Sequence, residues 1–169
     1  GSLVTPHAWI AQAFPGRAIL LDWQLPTATP RSLRNNTNPL TILFPAATLA
    51  RKGAYEVRQA IAGTPTRILL GGPIHEAPDF WSGIEHSTVH KRYFDDVDAV
   101  VLPAIAESQP RALLQAIASN VPVIATPQTG LHADSPVIWV EALNAATVRN
   151  ALNRIAAAKA NAINIGSAP

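Results

Sequence analysis

Pro103-Ala104-Ile105-Ala106-Glu107-Ser108-Gln109-Pro110, followed by Arg111-Ala112-Leu113-Leu114-Gln115-Ala116-Ile117-Ala118 and then Asn120-Val121-Pro122-Val123-Ile124-Ala125-Thr126, is the stretch that decides the fold. It reads as strand end, loop, helix, turn and strand. The loop carries an acid, Glu107, and eight residues later the helix carries an amide, Gln115. A loop that feeds a helix N-terminus presents unpaired backbone N–H groups and the positive end of the helix dipole, which suits a phosphate. A polar side chain one or two turns further in can reach whatever the phosphate carries.

Outward from this stretch, strands and helices alternate. Leu40–Phe44, Arg67–Leu70 and Ala99–Leu102 are short continuous apolar runs, the pattern of strands buried on both faces. Ile84–Val89, Val121–Ala125 and Val137–Val140 read as further strands. Gly53–Ala62 has helical spacing at Ala54, Val57 and Ile61. A short helix is expected over Lys91–Val97, and another over Ala112–Ser119 with Leu113, Leu114, Ile117 and Ala118 on one side. A last helix over Ala145–Ala158 turns Val148, Ala151, Leu152 and Ile155 inward. Strand–helix alternation implies crossover units, hence an α/β fold: a Rossmann-like parallel sheet with helices on both faces. Ligands of such sheets bind at the carboxyl ends of the strands. Pro45–Lys52, Gly71–Pro73, the loop near Val89 and Ala104–Ser108 therefore share one rim.

Before this alternation, a short helix around Ala8–Phe14 and a strand at Ala18–Leu21 precede Thr27–Pro39, whose prolines and asparagines have linker composition. Residues 1–38 are read as a tag remnant, interdomain segment and linker, and residues 39–169 as the main domain. Gly1-Ser2 looks like the scar of a cleaved tag, and the absence of methionine is read as the mark of a piece of a longer protein. Trp9 and Trp23 lie outside the main domain and are expected to pack against a missing one.

Composition excludes several classes. With 48% apolar and 14% charged residues, the chain has a core and is not disordered. A formal charge of +2, with Arg51-Lys52 and Lys91-Arg92 as the adjacent basic pairs, gives no nucleic-acid footprint. No apolar run reaches the roughly 18 residues of a membrane span. Zero cysteine removes disulfides and thiol chemistry and fits a cytoplasmic location. His86 and His90, with Glu85, would need one helical face and a third ligand to hold a metal, and their segment reads as strand and loop. Gly71-Gly72-Pro73 after a strand is either a close approach to a ligand or a plain turn. It is no Gly-x-Gly-x-x-Gly fingerprint, so a nicotinamide cofactor has no support.

The run from Pro103 to Thr126 resembles the signature of the retaining glycosyltransferases of family four, the glycosyl transferases group 1 of the GT-B fold. The family pattern is two glutamates with seven residues between them, a small-residue helix, a Gly-x-Pro turn and a hydrophobic strand. Glu107 matches the first glutamate, Gln115 stands at the second, and Asn120 at the glycine, a substitution that asparagine's tolerance of the left-handed conformation allows. The resemblance implies the C-terminal, donor-binding half of a two-domain enzyme. Its nucleotide-diphosphate sugar would be bound here without a metal, and its acceptor on an N-terminal domain that also gives any peripheral membrane contact. The isolated half would be inactive. Glu107 would contact sugar hydroxyls, flanked by Ala106 and Ser108, and Gln115 the ribose. Lys52, in a Lys52-Gly53 pair, would neutralise the diphosphate. The usual partner arginine is Ala47 here, so Arg51 would substitute. Gly71, Thr88 and Val89 would complete the site, the last two at the base. The alternatives are a nucleotide-sugar-binding or interaction module that has lost catalysis, and a generic doubly wound domain such as a phosphorylase-like half.

Overall fold

Residues 1–29, 39–89, 94 and 96–166 are described by the computed structural model, with side chains described as far as residue 162. The chain opens with a small unit, strand β1 (Leu3–Thr5), helix α1 (Ala8–Ala13) and strand β2 (Ala18–Leu20), in which the two strands pair in parallel. The main sheet then follows. Strand β3 (Thr41–Phe44) leads through a 3-10 turn (Ala50–Lys52) into helix α2 (Ala54–Ile61). Next come β4 (Arg67–Leu70), β5 (His86–Thr88), β6 (Ala99–Leu102) and α3 (Arg111–Ala118). Strands β7 (Val123–Ala125) and β8 (Val137–Trp139) and helix α4 (Ala145–Gly166) complete it.

All six strands of this sheet are parallel, in the order β5-β4-β3-β6-β7-β8. The register sets Ile42 between Ile68 and Ala99, and Leu43 between Leu69 and Val100. From β3 the chain steps to β4 on one side; from β6 it steps to β7 on the other. Right-handed crossovers then put α2 and α3 on opposite faces of the sheet. Helix α4 returns to pack along α2, where Arg149 donates to the Gln59 carbonyl at 2.7 Å. The core follows the apolar runs: Ile42, Leu43, Phe44, Val100 and Val101 are fully buried, because both faces of the central strands are covered. Val148, Ala151, Leu152 and Ile155 of α4 point inward, as their spacing predicts.

Some expectations shift. Helix α4 continues to Gly166, beyond Ala158, because the alanine-rich sequence after Ile155 keeps helix propensity without a burial signal. On α3 the buried positions are Leu113, Leu114 and Ala116, whereas Ile117 and Ala118 are only half-buried, so the inward arc is rotated toward the small Ala116. Strand β1 went unmarked by the pattern, since two of its three residues are exposed. The expected helix over Lys91–Val97 and most of the Thr27–Pro39 linker fall largely outside the described residues.

The first 29 residues lie against the main domain. Trp23 donates its indole N–H to the Gly130 carbonyl at 2.9 Å and packs on the core. Thr29 N–H bonds the Ser119 hydroxyl at 3.0 Å. The expectation that Trp23 faces a missing domain is thus corrected: a half-buried indole N–H needs an acceptor, and Gly130 supplies it. Trp9 remains 60% exposed.

Between β3 and β6, neighbours in the sheet, the chain leaves in opposite directions, and this opens a crevice at their carboxyl ends. Gly53 closes its floor. Its φ is +79°, and a Cβ there would lie 2.5 Å from the Pro103 carbonyl oxygen and 2.6 Å from Pro103 Cγ. Gly63 has a similar φ of +73° and open space around it. Left-handed strain costs a non-glycine residue about 1–2 kcal/mol, and overpacking about 1–3 kcal/mol more. In urea unfolding, Gly63→Ala is expected to show the strain alone and Gly53→Ala both costs. Equal losses in the two variants would mean that the contact between Gly53 and Pro103 does not hold the two loops together.

Candidate functional site

The loop after β3 ends in the 3-10 turn that carries Arg51 and Lys52, and Gly53 in the left-handed conformation turns the chain into α2. The loop after β6 carries Ile105 to Pro110. The two are stitched together by backbone, Ile105 N–H donating to the Arg51 carbonyl at 3.0 Å. Arg51 and Lys52 therefore do not open α2. They end the preceding turn, and α2 begins after Gly53.

Lys52 reaches across the crevice. Its Nζ lies 2.8 Å from Glu107 Oε2 and 3.2 Å from the Ala106 carbonyl. The two side chains are 11% and 14% exposed, so the pair is largely desolvated. Glu107 Oε1 accepts the N–H of Ser108 at 2.7 Å and of Gln109 at 3.1 Å. Burial alone would raise the Glu107 pKa. The bond and charge of Lys52 and the two backbone N–H groups outweigh it and hold the carboxyl below its ordinary value. The amides just ahead of α3, expected to meet a phosphate, are thus engaged by the chain's own carboxylate.

A cleft of about 620 Å³ opens over this pair, within the size range of small-molecule sites. Arg51, Lys52, Ala106, Glu107 and Ser108 line it, so five of the expected residues come together. The others stand apart from that lining. Gln115, on α3, donates its amide to the Thr27 carbonyl and the Thr29 hydroxyl, each at 2.8 Å. Gly71 follows β4, its N–H bonded to the Phe44 carbonyl at 2.9 Å. A Cβ on Gly71 would come within 3.1 Å of Pro45 Cα, and one on Gly72 within 2.5 Å of Ala47 N. The close approach that this glycine pair permits is to the chain's own backbone. Thr88 ends the edge strand β5 and is exposed, and Val89, the residue after it, is packed on the core. Asn120 has φ +53°, the left-handed turn expected of it. His90 lies outside the described residues; among those described, no group of three or more His, Cys, Asp or Glu could hold a metal ion.

The cleft also holds His7, Trp9 and Ile10, which sequence reasoning missed. His7 is 6% exposed, and its Nε2 is 3.1 Å from the Ser108 carbonyl. Nothing in the local sequence announces a contact that spans 101 positions. Among the described residues, no helix is long and apolar enough to cross a membrane.

Residues 32–158 match the family model described as glycosyl transferases group 1. No curated protein sequence matches the chain. Among solved structures, sucrose-phosphate synthase from Thermosynechococcus elongatus aligns with a TM-score of 0.68 at 21% identity, over 98% of this chain and 51% of that one. The C-terminal domain of a glycosyl transferase group 1 family protein (LpcC) from Francisella tularensis aligns at 0.55 and 16% identity, over 71% of this chain and 77% of that one. The lipopolysaccharide outer core galactosyltransferase WaaB, in its apo form, aligns at 0.65 and 13% identity, over 94% and 53%. The chain thus spans about half the length of the synthase and of WaaB. At these identities the likeness is one of fold: a six-stranded parallel Rossmann-like sheet with its helices. The match over residues 32–158 identifies the family, and the chain belongs to the glycosyl transferases group 1.

Proposed function

We propose that the cleft over Lys52 and Glu107 is the donor site of a retaining glycosyltransferase, binding a nucleotide-diphosphate sugar whose sugar passes to an acceptor held by another domain of the same protein. The observation that carries this reading is the largely desolvated 2.8 Å pair between Lys52 and Glu107 at the mouth of the sheet's crevice. An ammonium has three N–H donors, and the contacts to Glu107 and Ala106 use two. The third is available to a phosphate oxygen. The exposed Arg51, one residue away, adds a second positive charge for the diphosphate. As the sugar leaves, charge builds on the diphosphate, and preorganised cations in a partly dry cleft stabilise it. Glu107 has about four lone-pair sites on its two oxygens. Two backbone N–H groups and Lys52 take three, which leaves one for a sugar hydroxyl. Transfer with retained configuration from the same face needs no separate general base. In this reading Gln115 offers its amide oxygen to the ribose, and Gly71, Thr88 and Val89 flank the base.

A second reading, a nucleotide-sugar-binding module without catalysis, is favoured by Gln115, which is neutral and already donates to Thr27 and Thr29. Turnover by the full-length protein separates the two. A melting-shift screen with uridine, guanosine, adenosine and thymidine diphosphates tests the donor site itself. Stabilisation by at least one of them is expected, and none by the corresponding nucleosides at equal concentration. A flat response to all the diphosphates would remove the donor site.

Lys52→Ala is expected to weaken diphosphate binding by about 1.5–3 kcal/mol, the scale of charge-assisted bonds, while nucleoside binding stays unchanged. Calorimetry reads both, and equal diphosphate affinities in variant and parent would take Lys52 out of the site. The lowered pKa of Glu107 has its own consequence. The unfolded chain takes up the proton at a higher pH than the folded one, so the stabilisation is complete above the ordinary carboxylate pKa. It is lost as the pH falls through the lower folded value. Urea unfolding from pH 7 to about pH 3 should therefore show a shallower acid loss in Glu107→Gln than in the parent; superimposable profiles would contradict the pair's role. Gln115→Glu should strengthen binding of a ribose diphosphate but not of its 2′-deoxy analogue, because an ionised acceptor bonds a diol better than an amide does. A change in both ligands alike, or in neither, would remove Gln115 from ribose contact.

A further inference from the structure

We propose that His7 is a positioning residue for Glu107, acting through the single peptide group that joins Ser108 to Gln109. That peptide has both its polar ends engaged. Its carbonyl oxygen, on Ser108, lies 3.1 Å from His7 Nε2. Its N–H, on Gln109, lies 3.1 Å from Glu107 Oε1. A trans peptide is planar, with C=O and N–H pointing opposite ways, so fixing one end fixes the other. A carbonyl can only accept, so His7 carries its proton on Nε2. If the peptide turned over, its carbonyl oxygen would face the Glu107 carboxylate, and two acceptors would oppose each other. His7 thus holds the orientation in which the loop donates to Glu107.

The imidazole is itself held. It meets the Trp23 ring edge-on at 5.8 Å between centroids and the Trp9 ring at 6.2 Å. Its own backbone N–H bonds Thr5 Oγ1 at 3.2 Å. Gly130, with φ +78°, lies under the ring, where a Cβ would fall 2.1 Å from His7 Nδ1. The Gly130 carbonyl takes the Trp23 indole N–H at 2.9 Å. Nδ1 is buried with no hydrogen-bond partner among the described residues, so the hydrogen bond of the ring is the one that Nε2 makes to the Ser108 carbonyl. The small β1–α1–β2 unit is thereby coupled to the acid of the cleft: where residues 1–29 go, the orientation of Glu107 follows.

The geometry stands without the donor-site reading; its consequence for the sugar rests on that reading, and the experiment keeps the two apart. In the parent chain, imidazole ¹⁵N shifts should report the Nε2–H tautomer of His7, and the Nδ1–H tautomer would overturn the proposal without any variant. His7→Phe keeps a ring and removes the donor; His7→Gln returns an N–H donor near the Nε2 position; Gly130→Ala displaces the ring. Carbon-detected titration of Glu107 should show its carboxyl titrating at higher pH in His7→Phe and Gly130→Ala, and near the parent value in His7→Gln. An unmoved Glu107 in His7→Phe would overturn the proposal. On the donor-site reading, nucleotide-sugar affinity falls about three- to tenfold in His7→Phe, the scale of one weakened hydrogen bond, while nucleoside diphosphate affinity holds. A moved Glu107 titration with no nucleotide-sugar binding by any of these chains would leave His7 as the positioning residue and overturn the donor site instead.

Discussion

The ion pair between Lys52 and Glu107 depends on two loops meeting across the gap that the topology opens between β3 and β6. β3 and β6 are neighbours whose chains depart to opposite sides, so their loops diverge and leave room above the strand ends. Gly53, lying against Pro103, brings the loops close enough for a lysine to span the distance. Removing water from both charges is costly, and the cost is offset because every contact is doubled. The carboxylate takes two backbone N–H groups besides the ammonium, and the ammonium takes a carbonyl besides the carboxylate. This is a site assembled from main chain as much as from side chains, which is why its position follows from the fold.

Much of that fold was legible from residue order. Ile42-Leu43-Phe44 and Ala99–Leu102 are apolar without a break because neither face meets water, and their shortness argues for strands. Lys52 and Glu107 were legible because loop, helix and strand around them occur in the family's order. What escaped notice was contact across the sequence. Gln115 has a spacing that fits a ligand alongside α3, but nothing in that spacing announces that its amide nitrogen donates to Thr27 and Thr29, which lie 88 and 86 positions away. Gly71-Gly72 had two readings, and the backbone of Ala46 and Ala47 beside Gly72 gives that glycine a packing reason that residue order does not carry.

Residues 1–29 carry the largest gap between sequence and structure. Read along the chain they are a helix, a strand and a linker composition. In three dimensions they give the cleft its second wall, through His7 and Trp9. Gly130 is the hinge of that arrangement, since it admits the His7 ring with its Cα and the Trp23 indole with its carbonyl. Such a contact has no one-dimensional signature: a histidine after a proline and a glycine ending a turn are each ordinary alone.

The most direct measurement is an amide and side-chain shift map of the isotopically labelled chain as a nucleotide-diphosphate sugar is added. A donor site built on the Lys52–Glu107 pair predicts the largest changes at Lys52, Gly53 and Ala106 to Gln109, with the Glu107 carboxyl among them. Changes confined to the β5 edge or to α4, with the Lys52 and Glu107 signals unmoved at saturation, would contradict it.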